Sequence, residues 1–158
     1  MTTVAYKDGE MSADRGVVVG NSFAPCQITK VFCIETPDGV RALIGYAGSV
    51  STGQQLVRWA CEGFKSGEFP TLNQSDGFVT SLLVAREDGR ILEYEEEVPM
   101  LLEGSIASIG SGGGFAAASM LSGSSSAEAV SIASSLDLYT ASGGVDTVSF
   151  YDDPINRK

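Results

Sequence analysis

An α+β fold, with two stacked antiparallel sheets and helices on their outer faces, is predicted by three features of the sequence. The first is the order of elements, which runs strands, one helix, strands, two helices and a last strand. The second is a set of turns at Asp8-Gly9, Asp38-Gly39 and Asp88-Gly89, each set between strand-like runs. The third is the spacing of Leu56, Val57, Ala60 and Phe64, which lines one face of a helix. Together they describe a four-layer αββα sandwich. At 158 residues the chain reads as one domain, 1–158, large enough to bury about 68–70% of its unfolded surface.

Taken in order, residues 2–7 read as a strand and residues 10–14 as its hairpin partner. The apolar, β-branched run 28–35 turns at Thr36-Pro37-Asp38-Gly39 and returns over 40–47. Ser51 and Thr52 offer N-caps for the helix that ends near Gly63 or Gly67. Residues 66–77 read as a loop, and a third hairpin pairs 78–86 with 91–94. A short strand over 104–108 pairs back, and the glycine tract 110–114 enters an alanine-rich helix reaching Leu121. Ser126, Ala127 and Glu128 begin another helix, and a strand over 145–150 follows Gly143-Gly144 before a charged tail.

Composition excludes several classes. The net charge is −10 and the ten basic residues are dispersed, which speaks against nucleic acid and anionic membrane surfaces. No apolar run approaches the ~20 residues of a membrane span, and the polar start with Asp8 is not that of a secretory signal. The chain has no histidine, and Cys26, Cys33 and Cys61 lack metal-ligand spacing, so no zinc site is expected. Buried, reduced thiols in a cytoplasmic protein are the expected state. Glu93, Glu95, Glu96 and Glu97 read as a solvated strand end and loop.

Without histidine, a hydrolase needs another proton acceptor. A threonine at the chain start supplies one, because its hydroxyl attacks while its own α-amine takes the proton. An α-amine has a pKa of about 8, so part of it is neutral at physiological pH. Thr2 follows Met1 directly, so removal of Met1 would expose it.

Six segments in register extend this thought: Thr2-Thr3-Val4-Ala5, Ser12-Ala13-Asp14-Arg15, Thr29-Lys30-Val31, Gly45-Tyr46-Ala47-Gly48, Ile109-Gly110-Ser111-Gly112-Gly113 and Asp137-Leu138-Tyr139-Thr140. On these the chain resembles the proteasome-type N-terminal-nucleophile (Ntn) hydrolases, closest to the bacterial threonine peptidase HslV and to proteasome β subunits. The resemblance implies a threonine endopeptidase with Thr2 as nucleophile, Lys30 beside its hydroxyl, and Asp14 pairing with that lysine. It implies Gly48 as the oxyanion-binding backbone, Ser111 as a proton-shuttling hydroxyl, and Asp137 and Thr140 as orienting groups. A substrate pocket would fall on Val17, Ile28, Tyr46 and Val50, whose apolar character suggests hydrophobic or aromatic substrate side chains. No cofactor is required, although backbone carbonyls at Ser134, Asp137 and Thr140 match a loop that can hold a monovalent cation such as sodium.

The implied partners are peptide or unfolded-protein substrates, further copies of the chain in a homo-oligomeric ring, and an ATPase unfoldase. The chain departs from the pattern in two places. One helix of the family after Gly48 is missing, and retained Met1 would leave Thr2 without a free amine. A second reading is therefore a catalytically silent assembly or binding protein that keeps Met1. A small-molecule amidase is a third. Simpler roles also exist for single residues: Lys30 as a snorkelling edge-strand lysine, Asp14 as a strand terminator, Gly48 and Ser111 as turn residues. The apolar run around Lys30 favours the catalytic role for the lysine.

Overall fold

The computed structural model describes residues 2–20, 22–72, 79–138, 140 and 143–156. Their architecture is mixed α and β, with antiparallel sheets and, among the described residues, three helices. The first sheet has the order β10-β1-β2-β11, formed by β1 (Thr3–Lys7), β2 (Glu10–Asp14), β10 (Ile106–Gly110) and β11 (Val145–Ser149). The second runs β5-β6-β7-β8-β9 in sequence order, from β5 (Val31–Glu35) and β6 (Arg41–Ala47) through β7 (Ser81–Arg86) and β8 (Ile91–Tyr94) to β9 (Met100–Leu102). A separate two-stranded ribbon pairs β3 (Gly16–Val19) with β4 (Ser22–Gln27).

Side-chain alternation along the strands distributes the core into three apolar clusters. One joins the two sheets through Val4, Met11, Val31, Leu43, Leu83 and Ile109. Residues of opposite parity on the second sheet (Ile34, Ile44, Tyr46, Leu82, Val84) pack with Leu56, Trp59 and Ala60 of helix α1 (Val50–Cys61). On the first sheet Ala5 packs with Ala116 and Met120 of α2 (Gly113–Leu121) and Ala129, Val130 and Ala133 of α3 (Ser126–Leu136). Gly45 sits between the sheets because nothing larger fits: a Cβ there would lie 2.7 Å from Val4. Both β1 and β6 therefore approach closely where the chain start meets the second sheet.

Several boundaries differ from the sequence reading. Strand β5 begins at Val31, so Lys30 lies just before the strand rather than within it. Ser49, not Ser51 or Thr52, is the N-cap of α1, and its side chain makes no capping bond. Instead its backbone N–H donates to Thr80 Oγ1 at 3.0 Å. Helix α3 starts on an N-cap, the Ser125 hydroxyl accepting from the Glu128 N–H at 3.1 Å. The short strand predicted over 104–108 lies two residues further on, because Thr3 pairs with Gly110 and Lys7 with Ile106. Cys26 is exposed and Cys61 only partly buried, contrary to the expectation of three buried thiols. Phe78, placed in a strand by the sequence reading, lies outside the described residues, as does the end of the charged tail. None of the helices among the described residues is long and apolar enough to cross a membrane.

Candidate active site

The β1–β2 hairpin fixes the first part of the site. Its register sets Val4 opposite Ala13, which brings Asp14 beside Thr3. The Thr3 backbone N–H donates to Asp14 Oδ1 at 2.8 Å, and the Gly16 N–H donates to Oδ2 at 3.2 Å. Lys30 enters from the second sheet, where its carbonyl accepts from the Tyr46 N–H at 3.2 Å. Its Nζ donates to Asp14 Oδ2 at 2.9 Å and to Thr2 Oγ1 at 2.8 Å. Both charged side chains are buried, Lys30 and Asp14 each at 1% exposure, which excludes the snorkelling reading.

A buried ion pair is retained only when hydrogen bonds replace lost water. Here Asp14 collects two backbone N–H donors and an ammonium, so its carboxylate is well satisfied. Burial lowers the pKa of Lys30 below the ordinary lysine value, and the Asp14 charge and hydrogen bond oppose that fall. The same environment pushes the Tyr46 phenol up to about 12, through burial first and the Asp14 charge second. Because the Lys30 ammonium donates to Thr2 Oγ1, the threonine hydroxyl proton is free to leave in another direction.

A second set of residues lies behind the first. Ser111 Oγ donates to Asp137 Oδ2 at 2.6 Å, and Thr140 Oγ1 donates to the same oxygen at 2.5 Å. Thr3 Oγ1 and Thr140 Oγ1 are 2.8 Å apart; with the Thr140 proton committed to Asp137, Thr3 is the donor. Thr3 thus joins the two sets, its backbone holding Asp14 and its side chain holding Thr140. The sequence reading gave Thr3 no role. Its signal was a hydroxyl at the start of a strand, next to Thr2.

Two glycines shape the opening. At Gly110, with φ +94°, a Cβ would stand 1.8 Å from the Thr2 carbonyl oxygen. Gly110→Ala should therefore cost about 1–3 kcal/mol from overpacking alone, with further strain from the positive φ, as read by urea denaturation. An unchanged midpoint would mean that Thr2 is not held as described. At Gly48, with φ +112°, a Cβ would stand 2.6 Å from Thr80 Oγ1 and 2.7 Å from Thr80 Cα, so only glycine lets this backbone pass.

Thr2, Gly48 and Ser111 line one cleft of about 250 Å³, with Ala47 and Val79 on its wall and Glu93 and Glu95 at its side. The sequence reading expected another lining. Val17, Ile28, Tyr46 and Val50 are all absent from this cleft. Tyr46 alternates to the face opposite Ala47, where its ring lies under α1 against Gly53. Ile28 packs against that same cluster, Val17 lines a second hollow beside Phe23 and Pro25, and Val50 begins α1. The acidic run is also not uniformly solvated, since Glu93 is half-buried in the cleft and Glu97 accepts from the Gly67 N–H. Ser134 Oγ donates to the Val130 carbonyl at 2.9 Å, and the Asp137 carbonyl accepts from the Thr140 N–H at 3.4 Å. Tyr139 and Met1 lie outside the described residues. Among the described residues no group of three His, Cys, Asp or Glu side chains could hold a metal ion.

No family model matches the chain, and no curated protein matches its sequence. Among solved structures it is similar to Anbu from Hyphomicrobium sp. strain MC1, with a TM-score of 0.64 over 94% of this chain and 81% of that one. Identity is 12%, so the likeness concerns the fold alone. This corrects the resemblance drawn from sequence. The similarity is to Anbu and is distant; it does not single out HslV. What stands is a likeness of fold to that protein.

Proposed function

We propose that the chain is an N-terminal-threonine peptidase on a four-layer αββα Ntn scaffold, with Thr2 exposed by removal of Met1. The observation that carries this reading is the Lys30 ammonium 2.8 Å from Thr2 Oγ1, itself held by the buried Asp14 carboxylate. An ammonium costs free energy to bury, and placing one against a threonine hydroxyl favours the alkoxide character that attack requires. In the proposed reaction Thr2 Oγ1 attacks the scissile carbonyl while its proton passes to the α-amine. The Gly48 N–H stabilises the oxyanion, and collapse of the intermediate expels the leaving amine, which takes the proton from the ammonium. Water then hydrolyses the Thr2 ester, with the same amine as base.

Intact-mass measurement tests the premise: the active protein should lack Met1, and uniform retention would remove the base and with it the reading. Retention would favour the alternative, a silent assembly or binding protein, for which the 2% exposure of Thr2 is the supporting observation. The pH dependence supplies another check. Covalent geometry places the Thr2 amine within about 6.5 Å of the Lys30 ammonium, a range in which a like charge lowers an amine pKa. Activity should therefore rise with pH through an apparent pKa below about 8, in kcat/KM profiles. A rising limb well above that value would contradict the arrangement. The reading carries with it a cytoplasmic setting, peptide or unfolded-protein substrates, and self-assembly. For assembly, the exposed Phe115, Leu121, Ile132 and Leu136 on α2 and α3 offer an apolar face.

A further inference from the structure

We infer that Glu93 and Glu95 make the Thr2 cleft selective for substrates with a cationic side chain, lysine or arginine, at the residue whose carbonyl is attacked. This rests on the peptidase reading and goes beyond it by naming the substrate class. Strand β8 presents Ile91 to the core between the sheets, and the same parity brings Glu93 to that face where the core opens into the cleft; Glu95, exposed just beyond the strand, lines the same cleft. Ser81 lines the cleft beside Glu93, and its hydroxyl acts to lower the Glu93 pKa. Glu93 is half-buried, and its pKa is raised by that burial and then by the charge of Glu95. Two carboxylates thus face one hollow, and among the described residues no basic side chain lines it to balance them. Lys30, the nearest ammonium in the site, is committed to Asp14 and Thr2.

The remaining wall suits the rest of such a side chain. Ala47 and Val79 are apolar and line the same cleft as Thr2 and the carboxylates. A lysine or arginine has an apolar stem and a charged head, and this combination of an apolar wall with a carboxylate pair accommodates both parts. A neutral aliphatic residue would leave the two carboxylates uncompensated, and an acidic one would add a third negative charge.

The test uses protein lacking Met1 and a set of acyl-peptide aminocoumarins ending in Lys, Arg, Leu, Tyr or Glu. Lysyl and arginyl peptides should be cleaved with kcat/KM at least tenfold above the leucyl peptide, and the glutamyl peptide most slowly. In the Glu93→Gln/Glu95→Gln variant the lysyl-to-leucyl ratio should fall at least tenfold. Thr2-dependent cleavage that favours leucyl or tyrosyl peptides would overturn the inference and leave the peptidase reading standing. If no peptide is cleaved, binding to Thr2→Ala decides. A lysyl peptide held at least fivefold tighter than the leucyl peptide, by fluorescence anisotropy, supports the acidic cleft; equal or weaker binding overturns it.

Discussion

Thr2→Ala should reduce peptide hydrolysis by about 1,000-fold or more, while the protein remains folded. The substitution removes the attacking oxygen and the acceptor of one Lys30 hydrogen bond, leaving the Lys30–Asp14 contact in place. The lost bond to a charged donor is worth about 1.5–3 kcal/mol, a decrease that the urea midpoint should register without abolishing the transition. Thr2→Ser retains an oxygen in the same place and should keep measurable turnover. Thr2→Ala that hydrolyses peptides at the wild-type rate would assign the activity to another group or to a contaminant. The comparison is informative because Thr2 Oγ1 has a defined donor, the buried Lys30 ammonium from a segment 28 positions away.

Lys30→Met should have the second large effect, on stability and turnover together. It leaves Asp14 at 1% exposure with only the Thr3 and Gly16 N–H donors to answer its charge. Removing one partner of a buried pair costs about 3–5 kcal/mol, because the other charge is stranded. Adding Asp14→Asn neutralises that charge, so the double variant should recover a substantial part of the lost stability. It should not recover turnover, since no ammonium then stands beside Thr2 Oγ1. Recovery of both would reduce the lysine to a packing element. A Lys30→Met protein as stable as wild type would show that the ion pair is solvated.

Much of this site could be read from sequence because it depends on residue types that are out of place. A lysine next to an apolar, β-branched run is informative, and so is a threonine able to become the chain start in a protein without histidine. The hairpin register then follows from the Asp8-Gly9 turn, and with it the approach of Asp14 to Thr3. Thr3 escaped notice because its role needs both a backbone and a side-chain partner, one of them 137 positions away. The β3–β4 ribbon was unread because its second strand carries Pro25 and is largely exposed, so neither alternation nor composition marks it. Strand β9 has three residues, too few for periodicity to register.

The residues expected to line a substrate pocket lie outside the Thr2 cleft for a different reason. Apolar character at Tyr46 and Ile28 is the signature of a core as much as of a pocket, and one step of strand parity decides between them. Ala47 faces the cleft and Tyr46 faces α1. The glutamates were read as a solvated strand end and loop, which fits the exposed Glu95, Glu96 and Glu97 but not Glu93, which β8 turns to the inner face. Only the pairing of Leu83 with Glu93 and Leu82 with Tyr94 establishes that parity.

The most direct measurement is the location of covalent modification by a β-lactone, an electrophile that acylates an activated hydroxyl. With Met1 absent, peptide mapping should place a single acyl group on Thr2, formed in wild type and missing in Lys30→Met at equal folded concentration. Acylation spread over Ser111 and surface serines, or labelling of Thr2 that proceeds equally without Lys30, would contradict an activated N-terminal threonine.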